Sequence, residues 1–374
     1  SKDNLGDYPG AIEDFNQAIE LNPDDAVAYY NRGNAKENLG DDQGAIDDHN
    51  KAIELNPNFE QAYVNRGDSK DNLGDYQGAI DDYNKAIELN PDDAVAYSLR
   101  GSTKNNLGDY SGAIEDYNQA IELNPNFGQA YNNRGNSKDN LGDYPGAIED
   151  FNQAIELNPD DESFYSNRGA TKVNIGDLLG AIEDLNKAIE LNPKLFQAYN
   201  NRGVTKLELG DYRGAIDDHT KAIELNPDFA EAYSGRGNAK RNLGYYLQAI
   251  ADHNKAIKLN PKSFKAYFNR GNAKDNLGGY RGAIADYSSA IELNPKLFQA
   301  YFNRGNAKYR LKNYRGAIED YNKAIELNPN VFPAYFSRGV AKKVIRDMKG
   351  ACEDWRKASS LGDKDAASLV ENQC

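Results

Sequence analysis

The sequence predicts an all-α solenoid, and three observations predict it. The dipeptide Asn-Pro returns with its proline at Pro23, Pro57, Pro91, Pro125, Pro159, Pro193, Pro227, Pro261, Pro295 and Pro329, every interval being 34 residues. Within each interval, two stretches carry apolar residues at helical spacing. Between them stand a helix-stopping residue, most often glycine, and a short polar residue able to cap the next helix.

The elements follow in order. Counting Ala26 as column 1, full units begin at Ala26, Glu60, Ala94, Gly128, Glu162, Phe196, Ala230, Phe264, Phe298 and Phe332. Residues 1–25 are columns 10–34 of a further unit, and they return letter for letter at 137–161. Ser1 is therefore expected to mark a cut inside a repeat, with Leu5 in a helix remnant and Ala11 to Leu21 packed on the unit that begins at Ala26. The expected organisation is one solenoid over 1–374: a partial repeat over 1–25, ten full repeats over 26–365 and a capping helix over 363–374.

The first full unit reads AVAYYNRGNAKENLGDDQGAIDDHNKAIELNPNF. Ala26 to Leu39 is a helical stretch, Gly40 can take the left-handed conformation that ends it, and Asp41 caps a second helix from about Asp42 to Leu55. Asn56 and Pro57 stop that helix, because proline disfavours helix in the residue before it and cannot donate to the ladder. Several of the columns that recur in all ten units are small or aromatic. Gly33 and its equivalents cost helix propensity, which calls for a close approach by the paired helix. Ala45 and Ala52 give that second helix a narrow face, and Tyr29 fills the space beside them.

On these residues the unit resembles a tetratricopeptide repeat, of the bacterial multi-repeat type, over essentially the whole chain. The family's large aromatic, small residue four further on, two alanines seven apart and closing proline correspond to Tyr29, Gly33, Ala45, Ala52 and Pro57. The resemblance implies a right-handed superhelix whose first helices line a concave groove that holds a peptide or partner protein. Two columns depart from it: Arg32 stands in a leucine column and Lys36 in a tyrosine column. An arginine on the core side needs a counter-charge. Arg32 is expected to pair with Asp48 or with its neighbour-unit counterpart, fixing register between units.

Composition narrows the function. A net charge of −14, read with the family landmarks, excludes nucleic acid as a partner, since phosphate binding depends on cation neutralisation. No apolar run approaches the roughly 18 residues of a membrane span, so no membrane partner is expected. His49, His219 and His253 occupy a column of Tyr, Phe, Leu and Trp and read as packing residues, not metal ligands. Cys352 reads as a small buried hydrophobe, and no disulfide framework is expected from two cysteines. The low cysteine usage and the lack of a leader pattern favour the cytoplasm. No phosphate loop, nucleophile elbow or Cys/His pair is present, and the carboxylates recur unit by unit as a solvated face does. The expectation is a non-catalytic interaction scaffold with no catalytic, cofactor-binding or metal-binding residues and no cofactor.

Columns 2, 5, 6, 9, 12 and 13 share the first-helix face opposite the Tyr and Gly face. Column 6 is nearly all asparagine: Asn31, Asn65, Asn133, Asn167, Asn201, Asn269 and Asn303. Each amide can donate to and accept from an extended peptide, or bridge neighbouring helices. Column 5 ends in Phe268, Phe302 and Phe336, which offer rings to a ligand or pack between units. Tyr309, Arg310, Arg241, Lys265 and Lys343 occupy nearby groove columns that hold Glu37, Asp71 and Asp139 earlier in the chain. Formal charge is −25 over residues 1–229 and +11 over 230–374. The expected ligand is therefore an acidic, partly apolar segment at the C-terminal half. The alternatives are head-to-tail self-association through the solenoid ends, or a targeting arm for an enzyme outside these residues.

Overall fold

The computed structural model describes residues 7–374, and every regular element among them is a helix. Leu5 lies outside the described residues. The chain divides into two compact units, one up to residue 191 and one over 192–374. The first holds the helix Tyr8–Leu21 and five helical hairpins, ending with the helix Leu178–Leu191. The second holds five hairpins, beginning with the helix Phe196–Glu208, and a last helix, Lys364–Gln373, packed on the helix Met348–Ser360.

One hairpin explains the rest. The helix Ala26–Asn38 starts at Asp25, whose carboxylate accepts from the amides of Val27 and Ala28 at 3.0 and 3.1 Å. It stops at Gly40, which sits at φ +79°, where an L side chain would be strained. Asp41 then caps the helix Asp42–Leu55 by accepting from Gly44 at 3.0 Å. Asn56 closes it, accepting from the amide of Asn58 at 3.2 Å. Ala45 and Ala52 are wholly buried on the second helix.

The recurrent glycine of the first helix makes room for a side chain as well as for a helix. A Cβ on Gly67 would lie 2.8 Å from Tyr83, and one on Gly33 would lie 2.7 Å from His49. Both rings belong to column 24 of the second helix. His49, His219 and His253 are fully buried there in place of an aromatic ring or leucine. Burial pushes all three imidazoles down to about 4.

The arginine column pairs within its own hairpin. Arg134 donates from Nε and Nη2 to the two carboxylate oxygens of Asp150 at 2.9 and 2.6 Å, and Lys138 reaches the same carboxylate at 2.8 Å. The link to the preceding hairpin is the third donor, Nη1, which meets Asn118 Oδ1 at 2.7 Å. A buried aspartate thus carries two cations, and the arginine's fork spans two hairpins. The register-setting partner is column 25, where Asn16, Asn50, Asn84 and Asn118 take this role and Thr220 and Ser288 substitute for asparagine.

Cys352 is buried as expected, but the expectation of no disulfide is overturned. Cys352 and Cys374 form a disulfide, with Cα atoms 5.6 Å apart. Cys352 is buried against the end of the last helix, in a cluster with Trp355, Ala366 and Leu369. The return of Lys364–Gln373 over the preceding helix joins two cysteines 22 residues apart, a juxtaposition that spacing does not reveal.

Candidate partner-binding groove

The seven asparagines of column 6 are all half-buried, and several have committed part of their bonding capacity. Asn65 donates to Asn34 Oδ1 at 2.7 Å and to Tyr30 Oη at 3.2 Å. Asn167 donates to Asn132 Oδ1 at 2.9 Å, and Asn303 to Asn272 Oδ1 at 2.9 Å. Asn133 accepts from Gln129 at 2.8 Å and makes a long contact with Ser102. Each bond made by Asn65, Asn167 and Asn303 runs to the preceding hairpin's first helix. Asn31, Asn201 and Asn269 share the column, and Asn269 lines a cavity of about 380 Å³ with Lys265, Ser234 and Asn238.

Column 5 is largely an inter-hairpin position: Val64, Ser98, Asn132, Ser166 and Asn200 are buried. The three phenylalanines are half-buried. Phe268 tilts against Tyr287 and Phe302 against Tyr321, with ring centroids 5.9 Å apart in both pairs. Phe336 packs against the buried cluster that holds Tyr335, Trp355 and Ala366, as do Ile325, Val340 and the last helix's Leu369 and Val370. Core packing therefore uses part of each ring.

Tyr309 and Arg310 are brought together with Phe336 around a cavity of about 350 Å³, whose other walls are Asp275, Asn306, Tyr321, Ser337 and Val340. Beside it, a cavity of about 270 Å³ is lined by Arg241, Asn272, Asp275, Asn276, Tyr287, Asn303 and Asn306. Arg310 and Lys265 are exposed. Lys343 stands apart from these cations, donating to Gln373 Oε1 of the last helix at 2.7 Å. Asp275 in column 12 and Asn306 in column 9 also face these cavities, and their columns alone do not distinguish them from the solvated carboxylates and amides of other units. Tyr321 belongs to the packing column of the histidines; its ring is buried, while its hydroxyl donates to Asn306 at 2.8 Å.

The corresponding face of the first unit is acidic. Burial pushes the Glu37 carboxyl up to about 7, with Asp68 and Asp42 adding repulsion. Asp68 is raised as well, by burial and then by Asp71 and Asp42. Asp71 is held by Thr103 Oγ1, which donates to it at 2.6 Å.

Comparison with known proteins places these observations in a family. A model described as "TPR repeat" matches residues 4–40, 101–138, 173–210, 237–278 and 276–312. Models described as "Tetratricopeptide repeat" match 26–59, 60–93, 128–161, 196–229 and 298–331, and 82–115. No match was found among curated proteins. Among solved structures, the APC/C hetero-tetramer Cut9-Hcn1 is similar at 15% identity and TM-score 0.58, covering 99% of this chain and 87% of that one. A tetratricopeptide repeat protein from Parabacteroides merdae ATCC 43184 is similar at 22% identity and TM-score 0.50, covering 65% and 97%. MamA shares 28% identity over 44% of this chain and 96% of its own, at TM-score 0.41. With the 34-residue hairpins and the family models agreeing along its length, the chain belongs to the tetratricopeptide repeat family.

Proposed function

We propose that this chain is a non-catalytic scaffold that holds an acidic, partly apolar peptide along the first-helix face of its C-terminal unit. The family supports protein–protein interaction in general. The observation that carries the finer reading is the 350 Å³ cavity, where the Tyr309 and Phe336 rings stand beside the exposed Arg310 guanidinium. Rings supply apolar area at low entropic cost, and a guanidinium forms charge-assisted, bidentate bonds with a carboxylate. Lys265, on the 380 Å³ cavity of the same face, supplies a second cation. The half-buried amides of Asn269 and Asn303 can meet an extended backbone between these two points.

The reading is tested by titrating a fluorescent peptide rich in Asp, Glu and Phe into the protein and recording anisotropy. Arg310→Glu combined with Lys265→Glu is expected to weaken binding by about 10-fold or more, since reversing a groove charge replaces attraction with repulsion. Unchanged affinity in the double variant would sink the proposal.

A further inference from the structure

The 270 Å³ cavity is lined by two oppositely charged side chains, each with a buried polar atom left unbonded among the described residues. Two column 12 carboxylates, Asp71 and Asp139, are met by a hydroxyl in column 10 of the next hairpin. Thr103 Oγ1 donates to Asp71 Oδ1 at 2.6 Å, and Thr171 Oγ1 donates to Asp139 Oδ1 at 2.7 Å. For Asp275 the matching residue is Ala307, which has nothing to donate. Asp275 Oδ1 is buried and finds no hydrogen-bond partner among the described residues. Arg241 Nε is in the same condition on the opposite sign.

Behind Arg241 the shortage continues. In later hairpins the column 24 tyrosine satisfies a column 9 amide: Tyr287 Oη donates to Asn272 Oδ1 at 2.9 Å, and Tyr321 Oη to Asn306 Oδ1 at 2.8 Å. In the hairpin of Arg241, column 24 is His253, a shorter side chain. Both its ring nitrogens and the Asn238 Oδ1 that a tyrosine would have met are buried without partners among the described residues. Burial also pushes the Asp275 carboxyl up, with Arg310 opposing the shift. Among the remaining walls, Asn272 Oδ1 accepts from both Asn303 and Tyr287, and Asn306 Oδ1 accepts from Tyr321.

We propose that the cavity between Arg241 and Asp275 receives a carboxamide side chain, glutamine or asparagine, from the peptide held in the groove. A carboxylate would be drawn to Arg241 and repelled by Asp275, and an ammonium group the reverse. An aliphatic side chain would leave both groups unmatched. A carboxamide carries one acceptor for the guanidinium side and two donors for the carboxylate side, with no net charge. This inference rests on the groove reading and adds a register-specific requirement to it.

Random 12-residue peptides displayed on phage and selected against the full chain test both at once. Selected peptides are expected to be acidic and apolar and to share Gln or Asn at one fixed position. Synthetic Gln, Glu and Leu versions of one such peptide are expected to differ by about 10-fold in favour of Gln, because a site built to bond a polar group rejects analogues that leave it unpaired. Ala307→Thr should supply Asp275 with an internal donor, as Thr103 does for Asp71, and erase the Gln preference while acidic peptides still bind. Asp275→Asn should shift the preference from Gln to Glu. Acidic, apolar peptides with no shared carboxamide, or a Gln preference unchanged in both variants, overturn the inference and leave the groove reading standing. Selection of no acidic peptides overturns both.

Discussion

At the scale of single residues, the chain's economy lies in columns 7, 23 and 24. The arginine of column 7 satisfies its own hairpin's aspartate and reaches the preceding hairpin's asparagine with the same planar group. Column 24 takes a ring or leucine against a glycine, and three units place histidine there. An imidazole that titrates near 6.5 when unfolded and near 4 when folded binds more protons in the unfolded chain between those values. Stability therefore falls as pH falls through that window, by about 1–2 kcal/mol per histidine at pH 5. Replacing His49 with the tyrosine that other units use should remove that share. The check is the urea midpoint at pH 7 and pH 5 for the native protein and His49→Tyr. Equal pH losses in the two would show that the histidine contributes nothing. The difference measurement matters, because raised carboxyls such as Glu37 act with the opposite sign.

At the scale of the hairpin, the turn between helices was legible because each position has one steric or hydrogen-bonding duty. Glycines at φ near +80° fill it in eight hairpins, from Gly40 to Gly278. The last two hairpins instead place Lys312 at φ 60° and Arg346 at φ 68°. A Cβ in that region is strained, so Lys312→Gly is expected to stabilise the protein by about 1 kcal/mol. Gly278→Lys should cost a similar amount, and thermal melts of both variants decide it. A loss in the Lys312→Gly variant would mean that the lysine makes a compensating contact. The last helix shows the limit of local reading. Its length and cap, with Asp363 accepting from Asp365 and Ala366, follow from sequence. The bond from Cys374 to Cys352 depends on where that helix folds back.

At the scale of the whole molecule, charge is the property with a direction. Residues 1–229 carry −25 and residues 230–374 carry +11. Oppositely charged segments on separate copies attract, and salt screens that attraction over about 10 Å at 0.1 M. If the ends associate, sedimentation velocity at low salt should show a weight-average coefficient rising with concentration and losing that rise at 0.5 M salt. A coefficient independent of concentration at low salt would exclude head-to-tail association over the range measured. Among the described residues, no helix is long and apolar enough to cross a membrane.

The sequence by itself determined the repeat length, the two helices of each unit, their stops and caps, and the pairing of a core-side arginine with an aspartate. Each follows from short-range sterics, hydrogen bonding or charge compensation repeated every 34 residues. Only the tertiary structure decided what adjacent hairpins do to one another. It committed several groove asparagines to bridges, turned part of each phenylalanine ring into core and tied Lys343 to the last helix. It also left Arg241 Nε and Asp275 Oδ1 without hydrogen-bond partners among the described residues. Those outcomes depend on side chains 19 to 35 residues apart meeting in space, a relation that a column of letters contains but does not display.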